Sequence, residues 1–376
     1  MTLALAVLLV ACSLKQKTET KDMNQLSFST EQAAWMSAIA CDEAKGDLVA
    51  LESAIHNGLE AELTVSQIKE ALSQLYAYTG FPRSLNALGV LQNVVESPDE
   101  VLKSKDKRVI MGEDASPLSD DYDALKEGTR VQTQLVGKAF EYEFAPATDY
   151  YLKAHLFGDI FARDNLTYAD RELVTVSALS GLEGVEPQLK AHIAGARNMG
   201  VSEEQLQGIV VALAANGLLS EAGRLAKAYD ELSNSDSGLT VERSNSASGP
   251  TTKWSVGSPN AAYAQYFVGQ SFLQPYWGGV ANVTFEPRCR NNWHVHHGAV
   301  QVLICVSGNG WYQEWNKPAV ALTPGTVISI PAGVKHWHGA AADSWMQHLA
   351  LHTQEQPGAA NEWLEPVSDE QYNSVQ

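Results

Sequence analysis

Seven of the ten histidines in this 376-residue chain fall between His294 and His352, and their spacing dictates a strand-and-turn arrangement. Side chains two apart on a strand share a face, so His294 and His296 can converge on one centre while His297 points away. Gln301 lies five residues past His296 and would face away on an unbroken strand. The parity must therefore be reset, and Gly298 is the predicted bend or bulge. Pro331-Ala332-Gly333 predicts a tight turn that presents His336 on the next strand. The predicted ligand set is His294, His296, His336 and the amide oxygen of Gln301. Imidazole with one oxygen suits divalent Mn, Fe, Co, Ni or Zn, and spacing does not choose among them.

The run from Trp293 to Gly308, with Gly325, Pro331, Gly333 and His336 following, resembles the two motifs of the cupin family. The second motif matches from Gly325 to His336, with Ala340 in place of its final Asn. The first keeps both histidines and Gly308 but carries Gln301 where Glu is usual. Cupins with Gln there, hydroxynitrile lyase-like members among them, also resemble Trp311-Tyr312-Gln313-Glu314-Trp315 and Lys335-His336-Trp337-His338-Gly339-Ala340. The resemblance implies an antiparallel β-barrel over roughly residues 255–365, holding one divalent transition metal, Mn first. It also makes His348 the candidate for proton transfer. Four neutral ligands would leave the ion its whole charge, favouring anions and acidifying bound hydroxyl groups. Of the other histidines, His338 either lines the pocket or is a satisfied barrel residue, and His297 and His352 read as surface positions.

Leu3 to Val10 is too short an apolar run to span a bilayer, and Leu9-Val10-Ala11-Cys12-Ser13 follows it. This resembles a bacterial lipoprotein signal and implies a periplasmic protein, membrane-anchored only through Cys12. A net charge of −18 argues against nucleic acid as a partner. Four cysteines are too few for a disulfide framework, although Cys289 and Cys305 could pair across strands in an oxidising compartment.

The chain before the histidine cluster is helical and internally repeated. Thr64-Val65-Ser66-Gln67-Ile68 aligns with Ser202-Glu203-Glu204-Gln205-Leu206 at an offset of 138, and Leu51/Leu189, Ile55/Ile193 and Leu75/Leu213 hold the same register. Thr64 and Ser202 are predicted N-caps ahead of apolar positions at helical spacing. Each copy reads as a helical hairpin plus a third helix, and two copies in one chain imitate a dimer. The predicted division is a signal and tether over 1–24, copies over 25–97 and 125–232, a connector over 98–124, a Ser/Gly-rich linker over 233–254 and the barrel over 255–370.

The segments Tyr76–Leu88, His155–Arg163, Arg171-Glu172-Leu173 and Leu189–His192 resemble the carboxymuconolactone decarboxylase family, whose all-α fold is shared with alkylhydroperoxidase-like proteins. The polar features are divided between the copies. Arg171-Glu172 faces Ala33-Ala34 and His192 faces Ala54, whereas Glu70, Tyr78 and Pro82 face Gly208, Asn216 and Ser220. Such complementary loss predicts one composite pocket in which His192, with Arg163, Arg171 or Glu172, meets Glu70 and Tyr78. The bland alternative is a helix-start salt network beside a helix-to-helix turn. A peroxidatic role is disfavoured because Ser177-Ala178-Leu179-Ser180 stands where alkylhydroperoxidase-like members carry C-x-x-C.

The expected protein is an α + β multidomain chain: a duplicated all-α domain followed by a metal-binding barrel. The expected activity is that of a carbon–carbon lyase or decarboxylase on a small oxygenated, anionic molecule, in a homo-oligomer. A metal-dependent oxidoreductase and a non-catalytic periplasmic binding module are the alternatives.

Overall fold

The computed structural model describes residues 22–97, 109–236, 250 and 252–376. The lipoprotein-like run with Cys12, part of the connector and most of the Ser/Gly-rich linker lie outside the described residues. Among the described residues no helix is long and apolar enough to cross a membrane.

The first half holds helices α1 (Thr30–Lys45), α2 (Leu48–Glu60), α3 (Val65–Thr79) and α4 (Phe81–Glu96). After α5 (Ala124–Val136) and α6 (Pro146–Tyr150), the latter running on into a π-helix at Tyr151–Ile160, come α7 (Tyr168–Gly181), α8 (Glu186–Asn198), α9 (Glu203–Ala215) and α10 (Leu219–Asp236). Each of α7 to α10 begins 138 residues after its counterpart among α1 to α4. The copy therefore contains four helices, not a hairpin plus one. Its fourth helix was hidden because Phe81-Pro82 places proline in the first helical turn, where the missing N–H costs nothing, so the residue that breaks helices elsewhere starts one here.

Local chemistry sets the helix starts. Ser29, Thr64, Thr167 and Ser202 each accept from a backbone N–H one turn on, and the side chain three residues later returns a bond to the cap, closing a capping box. The repeated apolar positions Leu51, Ile55 and Leu75 are buried together with Leu189, Ile193 and Leu213 in one core. The connector is tied down beyond the point expected of a tether: Val65 and Ser66 N–H donate to the carbonyls of Ile110 and Met111, both at 2.9 Å. These bonds occupy two of the donors that the start of α3 would otherwise leave open.

The C-terminal domain is two antiparallel sheets. One runs Ser258–Pro259, Ser271–Pro275, Ala281–Phe285, Met346–Thr353, Val300–Gly308, Val327–Ile330. The other runs Ala360–Trp363, His294–His297, His336–Ala340, Arg290–Asn291, Phe267–Val268, with Gly310–Glu314 also paired to His336–Ala340. Phe285, Leu303, Cys305, Leu322, Ile330 and Met346 form its core. The Cys289–Cys305 bond that the sequence left open is not made; both thiols are free and buried. Cys305 pairs with His348 in the first sheet, while Cys289 immediately precedes strand Arg290–Asn291 of the second, its carbonyl accepting from Ala340, so the two are not partners across one strand pair.

Helix α10 continues to Asp236, past the predicted end at 232, and the C-terminal unit continues past 370 to a short helix at Asp369–Asn373. The two halves pack directly against one another. Val302, Ile304 and Leu351 of the first sheet share a core with Leu218, Ala222, Leu225 and Tyr229. A sheet covered on both faces becomes apolar on both, which explains the unbroken run Val302–Val306. Gly223 makes the approach close enough: a Cβ there would sit 2.8 Å from the Gly325 carbonyl oxygen. Gly223→Leu is expected to lower unfolding free energy by about 1–3 kcal/mol through overpacking, read by urea denaturation against Gly208→Leu, whose Cβ meets nothing within 4 Å.

Candidate metal centre

The strand parity inferred from sequence holds. His294 and His296 are buried on strand His294–His297, and the chain turns at Gly298, with φ 71°, before Val300–Gly308 brings Gln301 back to the same side. The Pro331–Gly333 turn closes with Val334 N–H on the Pro331 carbonyl at 3.2 Å, and the Gly333 N–H donates to the His296 carbonyl at 2.8 Å. That second bond ties the turn before His336 to the strand that carries the other two imidazoles. His336 then pairs with His294 across neighbouring strands.

Ring centroids separate His294 from His336 by 4.1 Å, His294 from His296 by 5.0 Å and His296 from His336 by 5.4 Å. Each ring has its Nδ1 engaged by an oxygen: Asn292 carbonyl at 3.0 Å for His294, Asn361 Oδ1 at 2.5 Å for His296, Val334 carbonyl at 2.9 Å for His336. That pattern puts the proton on Nδ1 and leaves the Nε2 lone pair for an ion, the orientation that outer hydrogen bonds impose on metal-binding imidazoles. His296 Nε2 is buried without a hydrogen bond. Gln301 Oε1 lies 3.0 Å from His336 Nε2. Neighbouring ligands each about 2.1 Å from one ion stand about 3 Å apart, so the spacing fits a shared centre.

Measured by distance alone, the tight group is different: ligand nitrogens of His294, His336 and His338 all lie within 4.8 Å of one another. Hydrogen bonding favours His296 over His338 as the third ligand. The Asn291 amide accepts the His338 backbone N–H through Oδ1 at 2.9 Å, so its Nδ2 is the group that donates to His338 Nε2, also at 2.9 Å. His338 then carries its proton on Nδ1 and gives it to His348 Nε2 at 3.1 Å. Neither His338 nitrogen has a free lone pair, whereas His296 does. His338, left open between pocket lining and barrel packing, is the histidine that joins the cluster to His348.

His348 itself is fully buried and packed on Phe285 at 5.4 Å, and among the described residues its hydrogen-bonded histidine is His338 rather than His294, His296 or His336. His297 is on the surface, bonded to Glu362 at 2.7 Å. His352 is exposed, yet its Nε2 comes within 3.1 Å of His296 Nδ1. Sequence reasoning missed Asn291, Asn361 and Trp363, the last stacked on His294 at 4.7 Å. Asn361 is aligned with His296 by strand pairing, and no local spacing announces it.

Burial holds these imidazoles in the neutral form. Desolvation, aided by neighbouring histidines, pushes His294 and His338 well below the usual range; His296, His336 and His348 fall to about 4. Neutral rings are the form a cation needs. In the unfolded chain the same rings protonate near 6.5. Metal-free protein therefore keeps this stability above pH 6.5 and loses it as pH falls toward 4, because only the unfolded state takes up protons in that window. Urea unfolding at pH 7.5, 6 and 5 is expected to show a loss on the order of several kcal/mol; a flat profile would contradict it.

In the helical half, the residues of the predicted composite pocket form two neighbouring groups. Glu70 is buried between two guanidinium groups, with Arg171 at 2.9 Å and Arg163 at 2.8 Å, and Asn165 adds a bond at 3.2 Å. His192 Nδ1 meets Glu172 at 2.9 Å and its ring stands edge-on to Tyr78 at 5.5 Å. No hydrogen bond joins His192 to Glu70 among the described residues. Arg171 has no exposed surface and is also bonded to Gln74 and the Arg163 carbonyl, so it cannot reach a substrate carboxylate.

The comparisons agree with both halves. Residues 146–231 match the carboxymuconolactone decarboxylase family, and residues 281–351 match the cupin domain. Over 92 residues the chain is 45% identical to the (R)-mandelonitrile lyase of Granulicella tundricola, covering 24% of this chain and 69% of that protein. The chain joins a carboxymuconolactone decarboxylase-family domain to a cupin. Among solved structures, a cupin-like protein from Thermotoga maritima is 36% identical, covering 33% of this chain and 97% of its own, with a TM-score of 0.30. Oxalate decarboxylase of Bacillus subtilis is 17% identical, over 26% of this chain and 28% of that one, with a TM-score of 0.21. The family match to the helices falls on the second copy, where Arg171, Glu172 and His192 lie.

Proposed function

We propose that the cupin domain is a metal-dependent carbon–carbon lyase acting on a small hydroxyl-bearing molecule, with cyanohydrins as the first class to test. The observation that carries this reading is the set of buried neutral imidazoles around Gln301: no carboxylate is among the ligands. A divalent ion bound by His294, His296, His336 and Gln301 would keep its charge, polarise a substrate oxygen and acidify its hydroxyl. Manganese is the ion we would load first. The identity to an (R)-mandelonitrile lyase supplies the substrate class.

The residues around the centre supply the rest. Cleavage needs an acceptor for the hydroxyl proton while the carbon–carbon bond breaks, its electron pair leaving with the departing carbon and a carbonyl forming behind it. His338 and His348 are neutral and linked: in this reading His338 Nε2 exchanges its bond from Asn291 for the hydroxyl proton, His348 shares the resulting charge through His338 Nδ1, and the proton returns by the same route to the departing carbanion. In this arrangement His338 is the nearer group and His348 acts through it. Trp363 and His294 stack to form one wall, and Tyr266 lies parallel to Trp363 at 4.6 Å. These rings favour a flat substrate beside the ligand cluster.

The helical half is proposed as a second proton-transfer centre in which Glu172 orients His192. The arginines contribute through Glu70, holding the two helices that carry the site. Localisation in the periplasm through a lipid anchor at Cys12, and assembly into a homo-oligomer, belong to the same proposal.

The test is elemental analysis of protein purified without a metal-binding tag, followed by a screen of cyanohydrins, aldehydes with cyanide, and lactones under air and under nitrogen. The expected result is one ion per chain and cyanohydrin turnover that is indifferent to oxygen. Turnover that stops without oxygen would replace the lyase with an oxidoreductase. Stoichiometric ligand binding with no product would leave a binding module.

A further inference from the structure

The two helical copies create two equivalent interfaces, and only one is filled. In the first, α3 packs against α7 and the space between is occupied by Glu70, Gln74, Arg171 and Glu172. In the second, α9 packs against α1, and the corresponding residues are Gly208, Ala212, Ala33 and Ala34. Each of these four polar side chains has become Gly or Ala in the second. A cavity of about 340 Å³ stands there, lined by Ala33, Ala34, Gly208, Phe28, Tyr276 and Trp277 among others. A Cβ built on Gly208 meets nothing within 4 Å, so the missing Glu side chain is the direction in which the space opens.

The cavity is not merely the residue of lost side chains, because the cupin closes it. Tyr276 and Trp277 lie just before strand Ala281–Phe285, and Trp277 packs edge-on against Trp35 of α1 at 5.9 Å. The Tyr276 hydroxyl is buried and has no hydrogen-bond partner. A buried donor without a partner is unfavourable unless something else accepts from it. Two rings therefore meet over a floor of small residues, and one of them, Tyr276, carries the unpartnered donor.

We propose that this junction binds a neutral aromatic molecule of one or two rings carrying a single accepting oxygen. The volume lies at the lower end of small-molecule sites, about 300–1,000 Å³. Dry apolar cavities of smaller size admit benzene-like guests. Among the described residues no Lys, Arg or His lines the space, and Glu204 lies on its wall, so anions are disfavoured. The site is separate from the histidine cluster and stands whether or not the lyase reading does.

The test is fluorescence titration of the full chain with 1-naphthylamine, a neutral two-ring probe, followed by competition with benzaldehyde and benzoate. Saturable binding at one probe per chain is expected, with Gly208→Leu weakening it at least tenfold by filling the space. Benzaldehyde should displace the probe at concentrations at least tenfold below those benzoate requires. Tyr276→Phe should weaken benzaldehyde and leave the probe unchanged. If Gly208→Leu loses its helical circular dichroism, Ala33→Met carries the same test. Absence of saturable binding to the parent, or equal binding by parent and folded filled variants, overturns the proposal.

Discussion

His336→Ala is expected to leave the folded protein with less than one tenth of the parent's bound metal and to remove cyanohydrin cleavage. Loss of an outer hydrogen bond to a metal-binding imidazole commonly costs about 10–100-fold in affinity, and loss of the imidazole itself should cost more. Asn361→Ala tests the milder case, since Asn361 holds His296 by Nδ1 at 2.5 Å. Gln301→Glu separates metal binding from activation. A carboxylate in place of the amide should bind the ion at least as well while cancelling part of its charge. Metal content should stay at parent level and kcat should fall, on the order of 10-fold or more, as the ion polarises substrate oxygen less. Elemental analysis and steady-state kinetics on the three variants read both effects. If Gln301→Glu keeps full kcat, the neutral ligand set is not what activates the substrate.

How much of this was legible in the sequence follows the range of each interaction. The side-chain period of two on a strand put His294 and His296 on one face and demanded a turn at Gly298, because parity is a local rule, whereas His336 was joined to them by its turn and the motif resemblance. Thr64 and Ser202 were readable as caps for the same reason. The site's outer layer was not. Asn361 reaches His296 only through the pairing of two strands far apart in the chain, and Asn291 holds His338 by tertiary placement alone. His348 was singled out by resemblance, and only the structure shows it standing behind His338. Whether Cys289 and Cys305 pair was open in the sequence, because spacing does not show which strands face one another; in the structure both thiols are free. The contact between the halves, centred on Gly223, was invisible because a glycine inside a helix reads as a weakness until its neighbour is known.

Arg171→Met is expected to destabilise the helical domain by about 3–5 kcal/mol, the cost of leaving a buried carboxylate with its nearest positive partner removed. Glu70 has almost no exposed surface, and Arg171 has none. Burial alone would raise the Glu70 carboxyl, but the Arg171 charge and the bonds from Arg163 and Arg171 hold it below its usual range. A carboxyl depressed in this way contributes stability above the unfolded value near 4.5 and loses it as pH falls through the folded value. In Arg171→Met the balance should reverse, with Glu70 raised and the variant relatively less penalised in acid. Arg163 is the control: its side chain is 45% exposed, so Arg163→Ala should cost no more than about 1 kcal/mol. The other copy shows what happens when both partners go, since Ala33 and Gly208 stand in place of the pair and the helices still pack. Glu70→Leu combined with Arg171→Met should therefore recover most of the loss, because apolar replacement of a whole buried pair is often close to neutral. A double-mutant cycle by urea denaturation at pH 7 measures this directly. If the double variant is as unstable as the two losses added together, Glu70 and Arg171 do not act as one unit, and Gln74 and the Arg163 carbonyl would then be the bonds that hold Arg171 in place.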